Sequence, residues 1–210
     1  ITNTAIEFGI DNHLVYLLMG KAQIMQGKAY EAIHTFKQRI QKNNNDLNAH
    51  IFLVNLLLQT NQVKEAEEAL KTIISSHPDN LELKCLMEKI KFKNGDRQSA
   101  IKFIQNMLNS NPTDAGTYLK LGNLCIEIED HTTAIDLLEK YLKISPANAD
   151  VIATIAICYA RLGRLESAII GLRAALQLDP ACHSASQNLI SLEKKFKNQP
   201  PANLKNEITV

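Results

Sequence analysis

Five alanines, Ala32, Ala66, Ala100, Ala134 and Ala168, stand 34 residues apart, and no other feature constrains the fold of this chain so tightly. Alanine makes up about a tenth of the sequence, so four further coincidences at one period would arise by chance with a probability on the order of 10⁻⁴. Other columns keep the same period. Pro78, Pro112, Pro146 and Pro180 follow the alanines by twelve residues, with Asn44 in the first copy, while Gly27, Gly95 and Gly163 precede them by five. A repeat of this length buries its core one neighbour at a time, so 210 residues do not call for two globular domains and one array suffices.

Each copy divides into two amphipathic segments. The first carries apolar residues at its third, seventh and tenth places, from Val15, Met19 and Ala22 to Val151, Ile155 and Cys158, and spacings of three and four define one helical face. The glycine column ends that helix, because glycine accepts the positive φ common at a helix C-terminus. The second segment starts from the period alanine and is apolar four and eight residues later, as in Phe36 and Ile40 or Leu138 and Leu142. Alanine on that face lets two helices approach closely, and proline then closes the repeat. The expected architecture is all-α, a stack of antiparallel helix pairs.

On this frame the five copies occupy 13–46, 47–80, 81–114, 115–148 and 149–182. Residues 1–12 match the last turn and exit loop of a repeat, so the chain is expected to begin inside a truncated preceding copy and to be a piece of something longer. Exposing that broken copy would leave apolar surface uncovered, which predicts a homodimer through the N-terminal end. Residues 183–197 read as a capping helix with a polar outer face, and 198–210, with Pro200 and Pro201, as a flexible tail or linker.

Lys plus Arg (23) nearly balances Asp plus Glu (22), which argues against a nucleic-acid partner or an anionic membrane surface. No run approaches the roughly 18 apolar residues of a membrane-spanning helix, so no direct membrane insertion is expected. Cys85, Cys125, Cys158 and Cys182 lack metal-ligand spacing, and Cys125 and Cys158, in apolar columns, read as small buried hydrophobes, so neither metal nor cofactor is expected. Unpaired thiols favour a reducing compartment such as the cytoplasm, with a periplasmic setting left open. The six histidines are scattered, no glycine loop is shaped for phosphate, and no nucleophile stands beside a base, so the chain is expected not to be an enzyme.

These residues resemble the tetratricopeptide repeat family, with small residues at the eighth place (Gly20, Gly122, Ala156), alanine at the twentieth and proline at the thirty-second. The resemblance covers about residues 5–197 and implies a right-handed α-solenoid whose concave face, lined by the first helix of each pair, binds a peptide or protein. The places that face inward in that family are the second, fifth, ninth, twelfth and thirteenth. Here the fifth reads Leu17, Ile51, Cys85, Leu119, Ala153, and the twelfth reads Ile24, Leu58, Phe92, Ile126, Ala160. Between them the ninth reads Lys21, Asn55, Lys89, Asn123, Ile157, a ladder in which Asn offers both donor and acceptor to an extended backbone. The apolar columns either take up a partner's side chains or pack between neighbouring first helices.

Lys84, Glu88 and Lys91 in the third copy and Arg39 in the first depart from the family pattern, which predicts a looser or shifted third repeat or a charged contact with a partner. The Lys and Asn set by which some members clamp a chaperone's C-terminal carboxylate is not reproduced, because Thr154 and Ile157 follow Lys120 and Asn123. The reading is a non-catalytic protein-interaction scaffold. The alternatives are the substrate-recruiting arm of a larger enzyme, as in glycosyltransferases, and a bacterial envelope assembly or secretion factor.

Overall fold

The computed structural model describes residues 13–198, and the half-repeat expected over 1–12 and most of the tail expected over 198–210 lie outside the described residues. Among the described residues the chain forms eleven helices and no strand. They are α1 (His13–Met25), α2 (Ala29–Lys42), α3 (Leu47–Gln59), α4 (Val63–Ile74), α5 (Leu81–Lys93), α6 (Arg97–Asn109), α7 (Ala115–Glu127), α8 (His131–Ile144), α9 (Ala149–Arg161), α10 (Leu165–Leu178) and α11 (His183–Asn198). First helices begin at residues 13, 47, 81, 115, 149 and 183, and second helices at 29, 63, 97, 131 and 165, every start 34 residues from the last of its kind.

The chain forms two compact units, Ile1–Met107 and Leu108–Val210. In the first, α1 packs on α2 and α3 on α4, α2 and α4 each pack on the first helix that follows, and α3 touches α5. Its core is built from large side chains: Phe36, Leu53, Leu57, Leu70, Leu83 and Leu86 are essentially inaccessible. In the second, α7 packs on α8 and α9 on α10, while α11 lies against both α9 and α10. Part of its core is made of small residues, Ala149, Ala153, Ala156, Ala175, Cys182 and Ala185 around Leu172.

The alanine column explains the pairing. Ala32, Ala66, Ala100, Ala134 and Ala168 are all at 0% exposure, so no larger side chain fits where they stand. The eighth place of the first helix is tight as well. A Cβ added at Gly20 would strike the ring of Phe36, and one at Gly122 would come within 2.9 Å of Leu138 Cδ2.

Four first helices are capped at the residue immediately before them. Asp46, Asn80, Asp114 and Asn148 each accept a hydrogen bond from the backbone amide three residues on, at 3.1, 3.1, 2.8 and 3.2 Å, satisfying a donor that the helix leaves unpaired. These caps also recur every 34 residues.

The charged departures from the pattern are satisfied inside the chain. Glu88 is buried, yet Lys91 Nζ donates to its Oε1 at 2.7 Å, Ser99 Oγ donates to its Oε2 at 2.7 Å, and Lys91 Nζ also reaches Ser99 Oγ at 3.1 Å. Helix α5 is continuous through this cluster, so the charges of the third copy meet one another and the helix is not interrupted. Buried Arg39 donates from Nε to the cap Asp46 at 2.6 Å, tying the end of α2 to the start of α3. His50 is also buried, its ring nitrogens 3.1 and 3.0 Å from the carbonyl oxygens of Ala69 and Asn44.

Between the two helices of each pair the chain turns through one left-handed residue. Gly27, Gly95 and Gly163 adopt φ of 74°, 95° and 77°, and in the same column Asn61 and Glu129 adopt 59° and 62°. Asparagine tolerates this region; glutamate has neither glycine's freedom nor asparagine's local hydrogen bonding. Replacing Glu129 by Gly should therefore stabilise the protein by about 1 kcal/mol, read as a raised urea midpoint at unchanged slope. An unchanged or lowered midpoint would show that the side chain stabilises the folded chain by a contact that outweighs its backbone strain.

The cap at Asp114 carries a pH dependence. Hydrogen bonds from the Thr117 hydroxyl and amide hold its carboxyl below the ordinary value of 3.8, so the ionised form is the stabilising one. Its contribution is complete above pH 3.8 and fades as pH falls below that toward the folded-state value. Asp114→Asn keeps an acceptor for the Thr117 amide and should flatten the acid limb of a stability–pH curve. Asp114→Ala should lower stability by about 1 kcal/mol at neutral pH as well.

Candidate functional site

The inner faces of the first helices were expected to bind, and the structure sorts their residues into two groups. Leu17 and Leu58 are at 9% and 8% exposure inside the core of the first unit, and Cys85 and Ala153 are buried likewise. These members of the fifth and twelfth columns pack within the protein, the second of the two uses that their apolar character allows. Ile51, Phe92, Leu119 and Ile126 are half-buried and keep accessible surface.

The ninth column also divides. Lys21 is exposed, and its Nζ lies 5.0 Å from the centroid of the Phe52 ring on the next first helix, a cation–π contact that lays its chain across the face. Asn55 is half-buried and its Nδ2 donates to the Ile51 carbonyl of its own helix at 3.0 Å, so only part of its amide is left for another chain. Lys89 is half-buried, and Asn123 is exposed.

Sequence reasoning passed over an apolar stripe on α1. Leu14, Leu18 and Met25 share one side of that helix with Lys21, because steps of four, three and four return to the same side. They are 54%, 52% and 89% exposed. Later copies place Asn48, Glu82, Gly116 and Asp150 where Leu14 stands, and Gln59, Lys93, Glu127 and Arg161 where Met25 stands. Comparing the second and thirteenth places copy by copy would have found this stripe.

The second unit holds a cleft of about 700 Å³. Ile126 at the end of α7 faces Ile157 and Cys158 of α9 across it, and Thr154 lies one turn before Ile157. Thr154 donates its hydroxyl to the Asp150 carbonyl at 2.7 Å, within its own helix. Cys158 is 1% exposed, and burial raises its thiol above the ordinary value. The rim is charged: exposed Glu127 and Glu129 stand at the end of α7 and the α7–α8 corner, and exposed Arg161 at the end of α9. His131, the first residue of α8, also lines the cleft, and its Nδ1 is buried without a hydrogen-bond partner.

A smaller cleft of about 320 Å³ lies on the first unit where α2 and α4 flank α3, with Leu53, Leu57 and His50 below and the Lys37–Glu65 ion pair, 2.8 Å, beside it. Among the described residues no group of three or more His, Cys, Asp or Glu could hold a metal ion, and no helix is long and apolar enough to cross a membrane. All four cysteines are buried free thiols.

A family profile described as tetratricopeptide repeat matches residues 14–90 and 126–192. Anaphase-promoting complex subunit 7 of Arabidopsis thaliana is 27% identical over 192 residues, 91% of this chain and 34% of that protein. The Dictyostelium discoideum protein of the same name is 27% identical over 94% of this chain and 34% of its own length. Human DnaJ homolog subfamily C member 3 is 24% identical over 84% of this chain and 38% of its own. The chain thus spans about a third of the length of these curated relatives. Among solved structures, a tetratricopeptide repeat protein from Parabacteroides merdae superposes with a TM-score of 0.72 at 13% identity, covering 91% of this chain and 75% of that one. A thermophilic tetratricopeptide repeat protein from Thermus thermophilus does so with 0.66 at 19% identity, covering 85% and 97%. At these identities the likeness shows the fold.

Truncation separates the packing residues from the accessible ones. Leu58→Ala should cost about 2–5 kcal/mol in urea unfolding, as a cavity in the first unit's core does, whereas Asn123→Ala should stay within about 0.5 kcal/mol. A loss below about 1 kcal/mol for Leu58→Ala would return that residue to the groove.

Proposed function

Because the chain belongs to the tetratricopeptide repeat family, we propose that it is a non-catalytic scaffold that binds a segment of another protein on the exposed face of its first helices. The observation that carries this reading is accessible apolar surface interleaved with hydrogen-bonding side chains. In the first unit Leu14, Leu18 and Met25 surround Lys21, and in the second half-buried Leu119 and Ile126 flank exposed Asn123 on α7. Faces of that composition suit a protein segment, whose side chains bury the apolar part while its backbone hydrogen-bonds to the amide. The second helices, by contrast, turn much of their apolar surface to the core, as Phe36, Leu70, Leu138 and Leu172 do.

The matched relatives support a role among proteins. Subunits of the anaphase-promoting complex are, by name, parts of a multi-protein assembly. The half-buried state of Ile51 and Phe92 fits the same use of the inner face, with Lys21 and Lys89 offering charge beside them.

Placing the photoreactive residue p-benzoylphenylalanine at Lys21 or Asn123, and as controls at Lys37 or Glu139 on exposed parts of second helices, tests the face directly. Ultraviolet irradiation of the protein in extract of its source cells should give discrete protein adducts from the first-helix positions that are absent from the controls. Adducts from the controls alone would move binding to the second helices.

A further inference from the structure

The cleft of the second unit contains the one corner residue that local backbone preference would not choose. Of the five left-handed corner residues, four are Gly or Asn, and the fifth, Glu129, lines this cleft with its carboxylate exposed at the rim. A residue kept in an unfavourable conformation where glycine would serve better points to what its side chain does. The same cleft includes His131, with its buried Nδ1 unpartnered, so two local losses of stability occur at one place. Between them the walls supplied by Ile126 and Ile157 are apolar, and Arg161 stands on the other rim.

We propose that this cleft is the anchor subsite for a protein segment carrying a lysine or arginine next to an apolar residue, the apolar side chain entering between Ile126 and Ile157 and the cation pairing with Glu129. This rests on the scaffold reading above and gives it a partner chemistry. The long stem of Lys or Arg suits such a cleft because its methylene groups lie on apolar walls while the head group stays at the charged rim. Arg161 repels a second cation on its own side, which fixes the direction in which the segment lies.

The probe is a phage-displayed library of random linear twelve-residue peptides, panned against the whole chain and against Glu129→Gln and Glu129→Gly. The parent should enrich peptides in which Lys or Arg adjoins an apolar residue, and both variants should lose the basic preference. A synthetic peptide selected by the parent should bind each variant about tenfold more weakly, with the difference shrinking at high salt. Because Glu129→Gly is expected to fold more stably than the parent, its loss of binding could not be put down to unfolding. Enrichment without an excess of Lys or Arg, or equal enrichment by parent and variants, would overturn the subsite chemistry and leave the scaffold standing. No enrichment by any of the three proteins would overturn both.

Discussion

The close approach of the two helices in each pair is the contact on which everything else depends. Five alanines stand at 0% exposure, and the eighth place of the first helix packs against the residue four places beyond them, Gly20 against Phe36 and Gly122 against Leu138. Once the backbones are this near, the apolar residue four places beyond each alanine has only one place to go, into the partner helix, and all five of these residues are buried. The accessible side of the first helices follows from the same geometry: with second helices absorbing so much of the apolar surface, first-helix side chains such as Leu119 and Ile126 remain partly uncovered.

The two units fill their cores differently around this common contact. The first uses Phe36, Leu53, Leu57 and Leu86, and Phe36 stacks on Phe52 with ring centroids 5.4 Å apart. Part of the second relies on alanines and a cysteine, with a Cβ built on Gly171 only 2.9 Å from Ala156 Cβ. Volume can be distributed in either way provided the alanine column is kept, because the column sets the separation and the remaining side chains fill what it leaves.

Fold class was legible because proline, glycine and alanine report on backbone and packing requirements that hardly depend on neighbours. The fate of the fifth and twelfth columns was less legible. Leu17 and Ile51 share a place and an apolar character, yet one is buried and the other half-buried, since exposure depends on which side chains the adjacent helix contributes. The charged departures could not be read either, because Glu88 and Arg39 resemble surface residues until Ser99, Lys91 and Asp46 are seen to reach them. Glu129 was hidden for another reason: a column recognised by its glycines does not reveal that the copy with glutamate there keeps the same left-handed backbone.

The caps at Asp46, Asn80, Asp114 and Asn148 belong in sequence to the end of one 34-residue period and in physical effect to the helix of the next. Covalent unit and structural unit are therefore out of phase by one residue. A gene that grows or shrinks by whole periods between such positions carries every cap along with it, so duplication can lengthen the chain without orphaning an amide. An insertion of any other length would separate a helix from the residue that starts it, which makes the period itself a heritable constraint on how a chain of this kind can change.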